Sequence, residues 1–159
     1  MSRIDAKVDP LLAAGSPLRG RAALANAQLA YHDVFLPAFT SERWLRLADA
    51  GANLQRPLWA STGVKDPAYP PTLYVDRLVG AGTVTTVPDV TLDAFRETGI
   101  VAPTLHADVT SARATLDELA VNGIDLRTIT RELEDEGVER FAAAYTQMLE
   151  AIDALRTAS

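Results

Sequence analysis

Apolar residues recur at three- and four-residue steps between Arg21 and Phe39, where Leu24, Ala27, Tyr31, Val34, Phe35 and Ala38 would share one side of a helix. Gly15, Pro17 and Gly20 set off its start. Ser41 is placed to cap a second, short helix through Ala50, with Trp44, Leu45, Leu47 and Ala48 on its inner side, and Gly51 suits a left-handed stop. The pattern then changes period. Pro57-Leu58-Trp59-Ala60-Ser61 is an apolar run without polar alternation, as in a strand buried on both faces of a parallel sheet. From Thr62 to Pro71 the chain contains Gly63, Pro67, Pro70 and Pro71, so neither helix nor strand can run through it.

Leu73, Tyr74, Val75, Leu78 and Val79 then predict a short helix closed by Gly80 and Gly82, and the β-branched run Thr83-Val84-Thr85-Thr86-Val87 predicts a second strand. Pro88 ends it, and Leu92, Ala94 and Phe95 lead a helix to Gly99. Strand, helix, strand, helix is the alternation of parallel strands with crossover helices. Beyond this the chain reads as helical throughout, with helices over Asp108 to Asn122, Asp125 to Glu136 and Val138 to Leu155, separated by Gly123 and Gly137. In the last of these, Val138, Phe141, Tyr145, Met148, Leu149, Ile152 and Leu155 form one apolar stripe, a seat for docking on the rest of the domain or on a partner.

Size and composition set the frame for these elements. A chain of 159 residues with 48% hydrophobic content is enough for one domain with a core, here residues 1-159 as β/α units to residue 100 and a helical tail from 101 to 159. The net charge is -6 and the 15 lysines and arginines are scattered, so a nucleic-acid partner is not expected. Apolar stretches fall far short of the roughly 18 to 20 residues that cross a bilayer, so no membrane association is expected. The opening residues have no apolar signal-peptide core, which makes the cytoplasm the expected compartment. Cysteine is absent and the two histidines, His32 and His106, stand far apart in sequence, so neither a disulfide nor a protein-bound metal is expected, and no cofactor.

The most specific segment is Gln55-Arg56-Pro57-Leu58-Trp59-Ala60-Ser61-Thr62-Gly63-Val64-Lys65-Asp66-Pro67, followed by Tyr74-Val75 and then Thr83-Val84-Thr85-Thr86-Val87-Pro88. It resembles transaldolase, particularly the actinobacterial and plant-like branch, in which a strand ending Trp-Ala-Ser-Thr leads into Lys-Asx-Pro and the last barrel strand reads close to Thr-Val-Asn-Thr-Met-Pro. Thr85 and Val87 stand here in place of the usual Asn and Met. Gly123-Ile124-Asp125-Leu126 and Leu133 to Val138 extend the resemblance over nearly the whole chain. The implied fold is α/β, a partial (β/α)8 TIM barrel running from the end of strand six to the carboxyl terminus, with a helical tail. A full barrel takes about 250 residues, and two predicted strands fall well short of eight, so the chain reads as a fragment or as half of a split enzyme with a separate amino-terminal half-barrel as partner.

The resemblance also implies site residues. Ser2-Arg3-Ile4-Asp5 matches the end of the family's sixth strand, whose arginine grips the substrate phosphate, and Ser61 and Lys65 follow the seventh strand, where further phosphate contacts lie. Arg3, Ser61 and Lys65 are thus the implied phosphate ligands: a guanidinium with paired donors, a small hydroxyl and an ammonium suit a sugar-phosphate dianion. The family transfers a dihydroxyacetone unit from sedoheptulose 7-phosphate to glyceraldehyde 3-phosphate in the pentose phosphate pathway, through a Schiff base on a lysine of the fourth strand. That strand is not among these residues, and the two lysines present, Lys7 and Lys65, do not sit in an apolar strand that would desolvate the amine. No catalytic residue is therefore assigned, and the isolated chain is expected to be inactive. Read without the resemblance, Lys65 is a solvated loop lysine and Arg3 a mobile terminal residue. Trp59 reads as core filling, Arg56 as structural, His32 and His106 as ordinary surface or packing histidines, and Glu132, Glu134, Asp135 and Glu136 as a solvated helix end.

Overall fold

The computed structural model describes residues 1–157, which fall into two compact bodies, Met1–Ile124 and the segment from Asp125 onward. The first holds helix α1 (Ser2–Val8), a single 3-10 turn (Asp9–Leu11), α2 (Ala22–Leu29), a π-helical stretch (Ala30–Phe35), α3 (Leu36–Thr40) and α4 (Glu42–Asp49). Strand β1 (Leu58–Trp59), α5 (Leu73–Arg77), strand β2 (Val84–Thr85), α6 (Asp89–Thr98) and α7 (Val109–Val121) complete it. The second body is α8 (Leu126–Thr157).

The strands run parallel with Leu58 opposite Val84 and Trp59 opposite Thr85. Val84 N donates to Pro57 O at 2.9 Å and Thr86 N to Trp59 O at 3.0 Å. Alternate carbonyls of a strand point to opposite sides. Ala60 O accordingly faces away from β2, and it accepts from the Met1 nitrogen at 2.7 Å. Both strands are shorter than their sequence runs, and Leu58 is 54% exposed while Trp59 is 5% exposed. Only one face of β1 is covered, so burial on both faces, as the apolar run implied, holds for Trp59 and not for its neighbour.

The segment matched to the end of a sixth strand is helical instead. Ser2, Asp5 and Val8 are its buried residues, a three-residue spacing that puts them on one helical face and would scatter them over both faces of a strand. The expected long helix from Arg21 to Phe39 forms as α2, the π-helical stretch and α3 in unbroken succession. Ala22, Ala23, Ala25 and Ala27 are buried in α2, and these small side chains let it pack closely on α7, which buries Ala112, Thr115 and Leu119. Ala27 and Tyr31 continue into the core with Trp59, Leu78 and Leu105.

Ser41 caps α4 by accepting from Trp44 N at 3.2 Å, and Gly51 takes φ 91, as the sequence implied. The inner side assigned to α4 is a correction: Leu45 is 55% and Leu47 46% exposed, while Trp44 leans edge-on against Phe39 with ring centroids 4.7 Å apart. Asp108 caps α7 through Ser111 N at 2.9 Å. The break expected at Gly137 is also absent. A glycine inside a helix costs only about 1 kcal/mol against alanine, Glu136, Glu139 and Arg140 around it are good helix formers, and Glu136 pairs with Arg140 one turn on at 3.6 Å. The apolar stripe of α8 is exposed, Phe141 at 81%.

One glycine is required by the packing around α1. Gly20 has φ 69, a left-handed conformation, its N–H donates to Asp9 Oδ1 at 2.9 Å, and a Cβ there would lie 2.9 Å from the Tyr69 ring. Gly20→Ala is expected to lower unfolding free energy by at least about 1–2 kcal/mol, the left-handed penalty alone, read as an earlier midpoint in urea denaturation.

Candidate functional site

Strand β1 delivers Ser61 to its carboxyl end in an unusual conformation. Ser61 has φ 56, and it is the non-glycine residue with positive φ among those described. Such a conformation costs on the order of 1 kcal/mol or more and persists where the surroundings over-determine it. The surroundings are visible: Ser61 O accepts from Ser2 N at 2.9 Å, and the buried Thr62 next to it donates Oγ1 to Thr86 O at 2.6 Å. The turn thus ties the ends of β1 and β2 to the first turn of α1. Arg3 is exposed on that turn, one residue from the bond to Ser61.

Lys65 lies further along the loop, exposed, and lines a cavity of about 280 Å³ with Ser2, Asp5, Asp9, Arg19, Tyr69 and Tyr74 among its walls. Ser2 therefore joins the three sequence-predicted residues: it is bonded to Arg3 in the chain, hydrogen-bonded to Ser61, and shares the cavity with Lys65. Its own hydroxyl is buried and without a hydrogen-bond partner among the described residues.

The cavity walls are built around two carboxylates. Asp5 Oδ1 accepts from Ala23 N at 2.9 Å and Oδ2 from the Tyr74 hydroxyl at 2.7 Å. Asp9 repeats the arrangement one turn later, accepting from Gly20 N at 2.9 Å and from the Tyr69 hydroxyl at 2.6 Å. Arg19 donates to Asp9 O at 2.6 Å and lies 3.6 Å from Asp66. Burial pushes the Asp5 carboxyl above the ordinary carboxylate range, opposed by the Tyr74 and Ala23 donors. Burial first, and then the carboxylate each phenol serves, push Tyr69 and Tyr74 well up, so both stay protonated donors.

Comparison with known proteins identifies the family of the chain. The family model described as Transaldolase/Fructose-6-phosphate aldolase matches residues 1–152. The chain belongs to the transaldolase family. A transaldolase of Parafrankia sp. is 47% identical over 158 residues, covering 96% of this chain and 42% of the relative. Transaldolase 1 of Streptomyces avermitilis is 49% identical with the same coverage of 96% and 42%, and the transaldolase of Renibacterium salmoninarum is 46% identical over 100% of this chain and 44% of its own length. The chain thus spans about two fifths of the length of the curated transaldolases it matches.

Within this transaldolase segment the remaining sequence-predicted residues fall as follows. Trp59 fills the core, and its indole nitrogen is buried without a partner among the described residues. Arg56 is exposed ahead of β1. His32 and His106, far apart in sequence, meet edge to face with ring centroids 5.1 Å apart, beside Tyr31. Among the described residues no group of three or more metal-ligating side chains forms, and no helix is long and apolar enough to cross a membrane. Sequence reasoning missed Ser2, Asp5, Asp9, Arg19, Tyr69 and Tyr74. The signal available was the three-residue spacing of Ser2, Asp5 and Val8, which shares a face on a helix and not on a strand, and it was hidden by reading Ser2 to Asp5 as a strand end.

The direction of the Asp5 shift sets a pH dependence. A carboxyl whose pKa is raised in the folded state contributes stability that is fully present below the ordinary carboxylate range and is lost as pH rises through the folded value. Urea midpoints of the wild-type chain and Asp5→Asn, measured between pH 4 and pH 7, are expected to show the wild type losing ground to the variant as pH rises. A wild type that gains on the variant over that range would contradict the sign.

Proposed function

We propose that this chain supplies the phosphate-holding part of a transaldolase active site, acting with an amino-terminal half-barrel that is either a separate polypeptide or the remainder of a longer chain. In the complete barrel the reaction moves a dihydroxyacetone unit from sedoheptulose 7-phosphate to glyceraldehyde 3-phosphate through a lysine Schiff base. The carrying observation is the family match over residues 1–152 combined with the strained Ser61 at the end of β1, bonded directly to the turn that bears Arg3.

Arg3, Ser61 and Lys65 divide the work by chemistry. The guanidinium offers two parallel N–H donors to phosphate oxygens, the ammonium adds a point charge, and the hydroxyl donates a third bond. Their task is binding and orientation, holding the far end of the sugar so that its carbonyl meets the amine elsewhere in the barrel. Neither lysine of this chain suits the covalent step, which calls for an amine in a dry, apolar strand: Lys65 is exposed in a loop and Lys7 is half-buried on α1. Loops after the late strands of such barrels commonly bind phosphate, which supports the same reading.

Mixing the intact chain with an amino-terminal transaldolase half-barrel is expected to restore dihydroxyacetone transfer that neither polypeptide performs alone. In that mixture Arg3→Ala should raise KM for the sugar phosphate about tenfold or more, the effect of a lost charge-assisted pair. Unchanged phosphate affinity in Lys65→Ala would remove Lys65 from the site. A second reading, a catalytically inactive module that associates through α8, is favoured by the exposure of Phe141, Val138 and Leu155 at 81%, 66% and 72%. Sedimentation of the isolated chain separates the two, because a strict monomer at every concentration would end the second reading.

A further inference from the structure

The residues read as phosphate ligands sit on two segments with no covalent reason to keep a fixed relation. Arg3 rides on α1, while Lys65 rides on the loop between β1 and α5. Two phenol-to-carboxylate bonds cross between these segments: Tyr69, in the Lys65 loop, to Asp9 at 2.6 Å, and Tyr74, on α5, to Asp5 at 2.7 Å. The remaining oxygen of each carboxylate is held from a third direction by the chain entering α2, through Gly20 N and Ala23 N, both at 2.9 Å. Because both oxygens are engaged, neither carboxylate can turn to follow a drifting loop.

We propose that Tyr69 and Tyr74 are positioning residues, which lock the Lys65 loop and the Arg3 helix into one body so that the phosphate donors are set in place before the ligand arrives. The proposal rests on the reading of Arg3, Ser61 and Lys65 as phosphate ligands. A phenylalanine at either position would fill the same volume, so the hydroxyl adds direction where the ring adds packing. The approach is built in from the other side as well, since Gly20 leaves room where the Tyr69 ring lies. Arg19 reinforces the same junction by reaching both Asp9 O and the Asp66 carboxylate, next in the chain to Lys65.

The test compares Tyr69→Phe and Tyr74→Phe with Tyr31→Phe in the intact chain. The last variant removes a phenol hydrogen bond of similar length, 2.8 Å to Ala81 O, outside the junction. Amide hydrogen exchange reads the lock and NMR titration with inorganic phosphate reads the site, through the Arg3 and Ser61 amides. In Tyr69→Phe, exchange at Ala68 and at residue 69 is expected to accelerate about tenfold, and phosphate affinity to fall about tenfold, the weight of one hydrogen bond to a charged group. Tyr31→Phe should do neither. Should Tyr69→Phe fail to fold, Asp9→Asn keeps an acceptor for Gly20 N and weakens only the bond to the phenol, and the same loop amides are read. Junction variants indistinguishable from Tyr31→Phe, or exchange rising uniformly over residues 1–124, would overturn the proposal. A wild-type chain that ignores phosphate would instead overturn the reading of the three ligands, while the exchange pattern would still decide whether the tyrosines lock the loop.

Discussion

Two carboxylates removed from water, one on a short helix and one on the 3-10 turn that follows it, demand donors from wherever the chain can bring them, and much of the first body follows from that demand. An ionised carboxylate buried without hydrogen bonds would be strongly unfavourable, whereas one met by a backbone N–H and a phenol is tolerated. Asp5 and Asp9 receive this from two sides, the start of α2 and the segment from Lys65 to Tyr74. Each donor restricts its own segment: Gly20 must be left-handed and bare, and Tyr69 and Tyr74 must present their hydroxyls to α1. The turn at Ser61 is closed from the same helix, by Ser2.

This arrangement explains what holds together a segment with only two residues in each strand. A two-stranded parallel pair carries few ladder bonds, and its uncovered edges and faces are poor anchors. Here the anchoring comes from side chains. Thr62 joins the ends of β1 and β2, and the Asp–Tyr pairs fasten the following loop. Leu58, exposed on the open face of β1, shows where this transaldolase segment has more apolar surface than it covers.

Local signals were legible wherever the cause was local. Ser41 and Gly51 act as cap and stop because a side-chain oxygen or a missing Cβ acts within a few residues of itself. The proline-bearing stretch from Thr62 to Pro71 is a loop for the same reason. Errors arose where a residue's role depends on what lies across from it. Leu45 and Leu47 have the spacing of an inner face yet are exposed, and Gly137 has the look of a stop yet sits inside α8, since its modest cost is outweighed by its neighbours. Likewise the match of Ser2 to Asp5 with a strand overlooked a spacing that buries one helical face.

The order of helices and strands from α2 onward, the loop bearing Lys65 and membership of the transaldolase family were determined by the sequence, because periodicity, caps and a long specific motif are properties of neighbouring residues. Only the tertiary structure decided that Asp5 meets Tyr74, that Asp9 meets Tyr69, and that Ser2 stands between Arg3, Ser61 and the Lys65 cavity. Those pairs are separated by up to 69 positions, and no local pattern specifies which distant donor will reach a buried carboxylate once the chain has folded around it.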